Sequence, residues 1–104
     1  MAIEQNAWDI LKSLAPSRSL FLGYPDLLLN ETFDVKEADD WQRIAAWHHW
    51  QGPIYDTDAV FREFGIDATY IDIHASRGCE LVYDLNEDIA WVAPKFDVVV
   101  DPGT

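Results

Sequence analysis

The alternation of short β-rich runs with helix-like segments restricts the fold of this chain more than any other feature of its sequence. Apolar residues at helical spacing predict three helices, over residues 2–15, 37–50 and 56–64. Runs of β-branched and aromatic residues predict four strands, over residues 19–23, 68–73, 80–83 and 96–100. Strands that alternate with helices favour parallel pairing with helices on both faces. We therefore expect a three-layer α/β unit with about four mostly parallel strands and three helices.

Local signals at the ends of these segments support two of the predicted helices. Pro16 stops the helical pattern of the first. Asp56 is a suitable N-cap for the third, and Gly65 is suited to the left-handed conformation that ends a helix. The segment 27–29, three leucines in a row, fits either a strand or a helix.

The charge balance argues against one class of partner. Seven Lys and Arg residues face 19 Asp and Glu residues, which gives a formal net charge of −12. We expect no direct binding to nucleic acid, because such binding needs basic side chains to neutralise phosphates. Five Trp, four Tyr and five Phe distinguish the chain from acidic disordered segments, which lack aromatic residues. The length of 104 residues suits a single globular domain over residues 1–104.

The expected compartment is the cytoplasm. Cys79 is the single cysteine, so the chain cannot form an internal disulfide. No apolar run in the sequence approaches the roughly 20 residues of a membrane span. Glu4 and Asp9 lie where a signal peptide would carry basic and then apolar residues.

Four aspartates lie at or just after the carboxyl ends of predicted strands: Asp26, Asp72, Asp84 and Asp101. In open α/β sheets, ligands bind outside these strand ends, and a carboxylate there often holds ribose hydroxyls. Aspartate is also a common turn former, so the same positions fit a purely structural role.

Four segments of the sequence resemble the N-terminal half of class I S-adenosylmethionine-dependent methyltransferases of a phage or mobile-element type. They are residues 20–26 (LFLGYPD), 71–74 (IDIH), 83–87 (YDLNE) and 96–104 (FDVVVDPGT). The resemblance covers about residues 19–104, so residues 1–16 would be an N-terminal helix attached to a Rossmann-like part.

The resemblance implies a set of cofactor-binding residues. Asp72 would bind the ribose of S-adenosylmethionine, Asp84 would lie near its adenine, and the loop at Gly23 would approach its amino-acid portion. Asp101, the remaining strand-end acid of the resemblance, is a fourth candidate. The first loop departs from the family pattern, because it has one glycine where members have a glycine-rich turn.

The family fold has seven strands, and the predicted strands here number four. We therefore expect a truncated, half-built sheet, which would be a natural half-domain, a relic with another use or a cut fragment. The predicted strand from Phe96 to Val100 would then have one unpaired side, which is an aggregation hazard. We expect this side to pair with a second copy or another partner, or to be covered by the N-terminal helix.

A binding surface for another protein is the other candidate site. Trp and Tyr are favoured interface anchors, and clustered aromatic residues on the second helix fit either such a surface or packing on the sheet. Scattered carboxylates fit either ordinary solubility or imitation of the charge density of a nucleic acid. The candidate partner-binding residues are Trp47, Trp50, Asp39, Asp40, Asp56, Asp58 and Glu63. We expect no metal site, because His48, His49 and His74 lack the spacing of a closed zinc site.

These observations lead to two hypotheses. The first is a non-catalytic acidic inhibitor without a cofactor, such as a phage anti-defence (anti-CRISPR-like) protein that blocks a basic nucleic-acid-binding partner. The alternative is an S-adenosylmethionine-binding methyltransferase, or a part of one completed by other residues or by another chain. The sequence has no convincing general base or nucleophile placed with its partners, which favours the first hypothesis, without catalysis.

Overall fold

A computed structural model describes residues 2–72, 77–78, 80–82 and 95–101. Within these residues, strands and helices follow one another along the chain. The elements are β1 (Ala2–Glu4), α1 (Gln5–Ser13), β2 (Ser17–Leu22), β3 (Asp26–Leu28), α2 (Trp41–Trp47), α3 (Thr57–Glu63), β4 (Ile66–Asp72), β5 (Leu81–Val82) and β6 (Val98–Val100).

The main sheet has the spatial order β5-β4-β2-β6, and each neighbouring pair of strands is parallel. Numbered by their order in the chain, these four strands stand as 3-2-1-4, the order found at the centre of doubly wound sheets. The predicted α/β class with four parallel strands and three helices is therefore confirmed. Strands β2 and β4 begin two residues earlier than predicted. Ile73 and Tyr83, which were predicted to belong to strands, lie outside the described residues.

Aromatic side chains build the main core on one face of this sheet. Phe21 of β2 and Tyr70 of β4 are register partners, so their side chains point to the same face. Phe61 of α3 stacks on Phe21 with 4.9 Å between ring centroids, and Trp8 of α1 stacks on Phe61 at 6.0 Å. Trp8, Phe21 and Phe61 are completely buried. Helices α1 and α3 thus share one core, and an arrangement with helices on both faces of the sheet stays a prediction.

The prediction of a helix from residue 2 is wrong, because residues 2–4 form β1. This strand pairs in parallel with β3, with Ile3 opposite Leu27, and both side chains are buried. The pairing also settles the ambiguous leucine segment, since residues 27 and 28 belong to β3. A three-residue strand gives too little alternation to be distinguished from helical spacing, which explains the error.

Helix α2 is shorter than the predicted segment of residues 37–50. Before the helix, the N–H of Ala38 donates to the carbonyl oxygen of Ile54, and residue 37 forms a β-bridge with residue 55. After the helix, His49 has a positive φ of 53°, which is incompatible with a continuing helix. Helix α2 packs its buried face against β3 and the residues before α3. This second core consists of Leu28, Ile44, Ala45 and Ile54, with Ala2, Ala38, Trp41 and Trp50 packed around it.

Helix α3 agrees with the sequence signals that predicted it. The side chain of Asp56 accepts a hydrogen bond of 3.0 Å from the N–H of Ala59, which makes it the N-cap. Gly65 has a positive φ of 76° directly after the helix, where a left-handed residue ends it. The chain then enters β4 at Ile66.

Strand β6 begins at Val98 rather than at Phe96, because Asp97 is held by a two-way contact with Arg18. The N–H of Asp97 donates to the carbonyl oxygen of Arg18 at 2.8 Å, and the carboxylate of Asp97 accepts from the N–H of Arg18 at 2.9 Å. This backbone N–H, followed by the guanidinium of the same residue, lowers the pKa of the Asp97 carboxyl below its ordinary value. Strand β6 is the outermost strand of the described sheet, and its pairing with a second copy stays a prediction.

No helix in the described part of the chain is long and apolar enough to cross a membrane.

Candidate functional site

The carboxyl edge of the main sheet brings together three of the four predicted cofactor-binding residues. Leu22 is the register partner of Ile71, so Gly23 and Asp72, one residue further along each strand, lie side by side at the ends of β2 and β4. Asp101 follows β6 directly, on the other side of β2. Asp84 lies outside the described residues.

Gly23 has the backbone conformation that its position requires. Its N–H donates to the carbonyl oxygen of Ile71 at 2.7 Å, which extends the ladder by one residue beyond β2. Its φ is +108°, a value that residues with a Cβ rarely adopt. The glycine therefore lets the chain turn sharply away from the sheet and continue towards β3.

The strand order reverses at β2. The chain passes from β2 to β4 on one side, whereas β6 pairs on the other side. At such a reversal, the chain segments that follow two neighbouring strands run in opposite directions, and a crevice lies between them. This crevice is the usual ligand position in open α/β sheets. Gly23 lies at this point, between half-buried Asp72 and exposed Asp101.

Beside this edge, a buried carboxylate links the chain segment after β2 to the chain segment after β4. Asp26, three residues after Gly23, has a side chain that is only 4% exposed. Its Oδ1 lies 2.8 Å from Nη2 of Arg77, and its Oδ2 lies 2.9 Å from both that atom and Nε2 of His48. We call Asp26, His48 and Arg77 the Asp26 cluster. Each oxygen of this buried carboxylate therefore has at least one partner within the protein, which offsets the cost of burying its charge.

Further contacts hold these two chain segments, after β2 and after β4, in place. The hydroxyl of Thr57, at the start of α3, donates to the carbonyl oxygen of Pro25 at 2.7 Å. The N–H of Arg77 donates to both carboxylate oxygens of Glu80 at 3.1 Å. The guanidinium of Arg77 also lies 5.4 Å from the ring centroid of Tyr24. The Arg77 side chain is therefore held by Asp26 and Tyr24, and its backbone is held by Glu80.

Arg77 also lines a cleft with a volume of about 540 Å³. Among the described residues, two carboxylates, two guanidinium groups, one buried aliphatic side chain and one indole ring surround it. The lining residues are Asp39, Asp40, Arg43, Ile44, Trp47 and Arg77. We call this the Trp47 cleft, because Trp47 is 76% exposed and is its largest apolar surface. The volume falls within the usual range for small-molecule sites.

The predicted partner-binding residues divide into three groups. Trp47, Asp39 and Asp40 come together in the Trp47 cleft, whereas Trp50 packs against the second core. The acids of α3 occupy a separate element, and two of them already have partners within the fold. Asp56 caps the helix, Asp58 accepts from the hydroxyl of Tyr70 and pairs with Arg62 at 2.7 Å, and Glu63 is exposed.

The Asp26 cluster was not predicted from the sequence. Asp26 was one of the predicted strand-end acids, and His48 was considered as a metal ligand, but no signal connected them to Arg77. Asp26 and Arg77 are 51 residues apart, and local spacing carries no information about such a pair. Among the described residues, no group of three His, Cys, Asp or Glu side chains has an arrangement that could hold a metal ion.

No protein-family model matches this chain, and no curated protein or solved structure is detectably similar to it. A function therefore has to be inferred from the arrangement of its own residues.

Proposed function

We propose that this chain binds S-adenosylmethionine at the carboxyl edge of its main sheet, as the cofactor-binding part of a methyltransferase. The observation that supports this proposal most is the side-by-side position of Gly23 and Asp72 where the strand order reverses. The sequence segments that resemble class I methyltransferases supply the same residues for the same cofactor.

The chemistry of the edge suits this cofactor. The carboxylate of Asp72 can accept hydrogen bonds from both ribose hydroxyls, because an ionised carboxylate has several acceptor positions. Gly23 has no side chain, so the cofactor can come close to the backbone. The sulfonium and ammonium groups of S-adenosylmethionine are positive, and the net charge of −12 attracts them.

Isothermal titration calorimetry with S-adenosylmethionine tests this proposal. We expect saturable binding that Asp72→Asn weakens by roughly tenfold or more, because a hydrogen bond to a charged group contributes about 1.5–3 kcal/mol. Asp67→Asn is the matched control, since Asp67 is an exposed residue of the same strand at its opposite end. No binding by the unmodified chain, or equal losses in the two variants, would contradict the proposal.

A second candidate is the non-catalytic inhibitor, a cytoplasmic acidic protein that occupies the basic groove of a nucleic-acid-handling partner. The observation that favours it is the exposed indole of Trp47 beside Asp39 and Asp40. An exposed aromatic anchor next to carboxylates fits a basic protein surface, and association with such a surface is fast and sensitive to salt.

DNA cleavage by a panel of purified RNA-guided nucleases tests this second candidate. We expect the chain to inhibit at least one nuclease, with inhibition that weakens as salt rises and as competing duplex DNA is added. Trp47→Ala should weaken the inhibition, and Asp67→Asn should leave it nearly unchanged. If the panel retains full activity under low-salt conditions, the inhibitor role is contradicted.

A further inference from the structure

We propose that the Trp47 cleft binds a neutral saccharide. The cleft is separate from the residues Gly23, Asp72 and Asp101 of the proposed cofactor edge, and it is lined by groups of both charge signs around one exposed indole ring. Three properties of this lining select a neutral, hydroxyl-rich ligand over an ionic one.

The first property is the balance of charge. Asp39 and Asp40 offer carboxylates, and Arg43 and Arg77 offer guanidinium groups that already have partners, Arg43 with Asp40 at 3.4 Å and Arg77 with buried Asp26 at 2.8 Å. An anion that paired with the arginines would face the two carboxylates, and a cation that paired with the carboxylates would face the two arginines. A hydroxyl group donates to carboxylates and accepts from guanidinium groups, so a sugar ring can use both sets.

The second property is the exposed indole. Trp47 is 76% exposed, while Ile44, one helical turn before it on α2, is only 5% exposed. A sugar ring presents hydroxyl groups at its rim and C–H groups on its faces. Such a face can cover the Trp47 ring and remove apolar surface from water while the rim reaches the charged groups.

The third property is the preorganisation of Arg77. In the described structure, the side-chain hydrogen bonds and ion pairs of Arg77 are made by Nη2 to Asp26, which leaves its Nε–H and Nη1–H groups for a ligand. Because His48 holds the same carboxylate, the guanidinium is fixed before a ligand arrives. A fixed donor loses less conformational entropy on binding than a mobile surface arginine.

The position of the cleft also indicates a role for the bound saccharide. Arg77 lies in the chain segment after β4, and Asp26 lies in the chain segment after β2. Their hydrogen bonds therefore link the cleft to the carboxyl edge of the main sheet. If the proposed function holds, the saccharide is the methyl acceptor. One hydroxyl oxygen then forms a bond to the methyl carbon, the carbon–sulfur bond breaks with its electron pair on sulfur, and the hydroxyl proton passes to water.

Saturation-transfer difference NMR tests the binding. The probes are the methyl glycosides of glucose, galactose, mannose, rhamnose and N-acetylglucosamine, with trilysine and inorganic phosphate as ionic comparisons; phosphate is followed through its phosphorus signal. We expect saturation transfer to the ring protons of at least one glycoside. Trp47→Ala should reduce this signal by roughly tenfold, the loss typical of an interface anchor. Ile10→Ala, at an apolar position on α1 that is 64% exposed, should leave it unchanged.

The outcomes separate this inference from the proposed function. No transfer to any glycoside, or transfer that survives Trp47→Ala, overturns the saccharide site. A Trp47-dependent signal from trilysine or phosphate in place of the glycosides also overturns it. If S-adenosylmethionine displaces the bound glycoside, the cleft belongs to the cofactor and the acceptor role is overturned. Glycoside binding without any S-adenosylmethionine binding supports the site and contradicts the proposed function.

Discussion

Replacing Phe61 by alanine is expected to lower the free energy of unfolding by about 3–5 kcal/mol, the usual loss for a buried phenylalanine. Phe61 is completely buried and stacks between Phe21 and Trp8, with centroid distances of 4.9 and 6.0 Å. Its removal therefore separates the sheet from α1 as well as from α3. Domains of this size are stable by about 5–15 kcal/mol, so this loss is a large fraction of the total stability.

Urea unfolding followed by far-ultraviolet circular dichroism measures this loss without depending on tryptophan fluorescence. The control is Leu14→Ala, since Leu14 is an apolar side chain that is half exposed. Its effect should stay within about 0.5 kcal/mol. Similar unfolding midpoints for the two variants would show that the aromatic stack does not hold the fold together.

Asp26→Ala is expected to lower the free energy of unfolding by about 3 kcal/mol. This value lies at the lower end of the range for a broken buried ion pair, because a quarter of the Arg77 side chain stays exposed to solvent. The substitution leaves Arg77 and His48 without the carboxylate that they share. It also removes the hydrogen bonds between the segment after β4 and the segment after β2.

Two comparisons make this second prediction specific. Asp40→Asn removes the charge of an exposed carboxylate that lies 3.4 Å from Nη2 of Arg43 and keeps a residue type that tolerates the positive φ of 55° at this position, so its effect should be within about 0.5 kcal/mol. The double variant Asp26→Ala, Arg77→Ala should lose less than the sum of the two single losses, because it leaves no unpaired guanidinium. Strict additivity in denaturant unfolding would mean that the pair does not interact in the folded state.

Local sequence signals were sufficient for much of the fold. Helix α3 was predictable because Asp56 and Gly65 mark its two ends, and the four strands of the main sheet carry β-branched or aromatic residues. Strand β1 was missed because its pairing depends on β3, which is more than 20 residues away. Only tertiary contact decides between strand and helix for segments as short as these.

The candidate site was predictable to a smaller extent. Parallel pairing implies that the carboxyl ends of strands meet at one edge, so Asp72 and Gly23 were both expected at the edge where a ligand binds. The contact of Asp26 with Arg77 was not predictable, because it depends on where two connections meet after folding. The Trp47 cleft was anticipated in part, since its tryptophan and two aspartates were candidate binding residues, whereas its arginines were not.

The pairing of β2 with β4 has a consequence for how the chain folds. Each residue of β2 meets a residue roughly 50 positions later, so this ladder must close a long loop before it gains its first hydrogen bond. The intervening segment contains β3 and α2, and it builds its own small core with Leu28 and Ile44. Early collapse of that core would shorten the effective loop and bring the ends of the two strands together. Folding rate should therefore respond to substitutions at Ile44, although this residue does not belong to the main sheet.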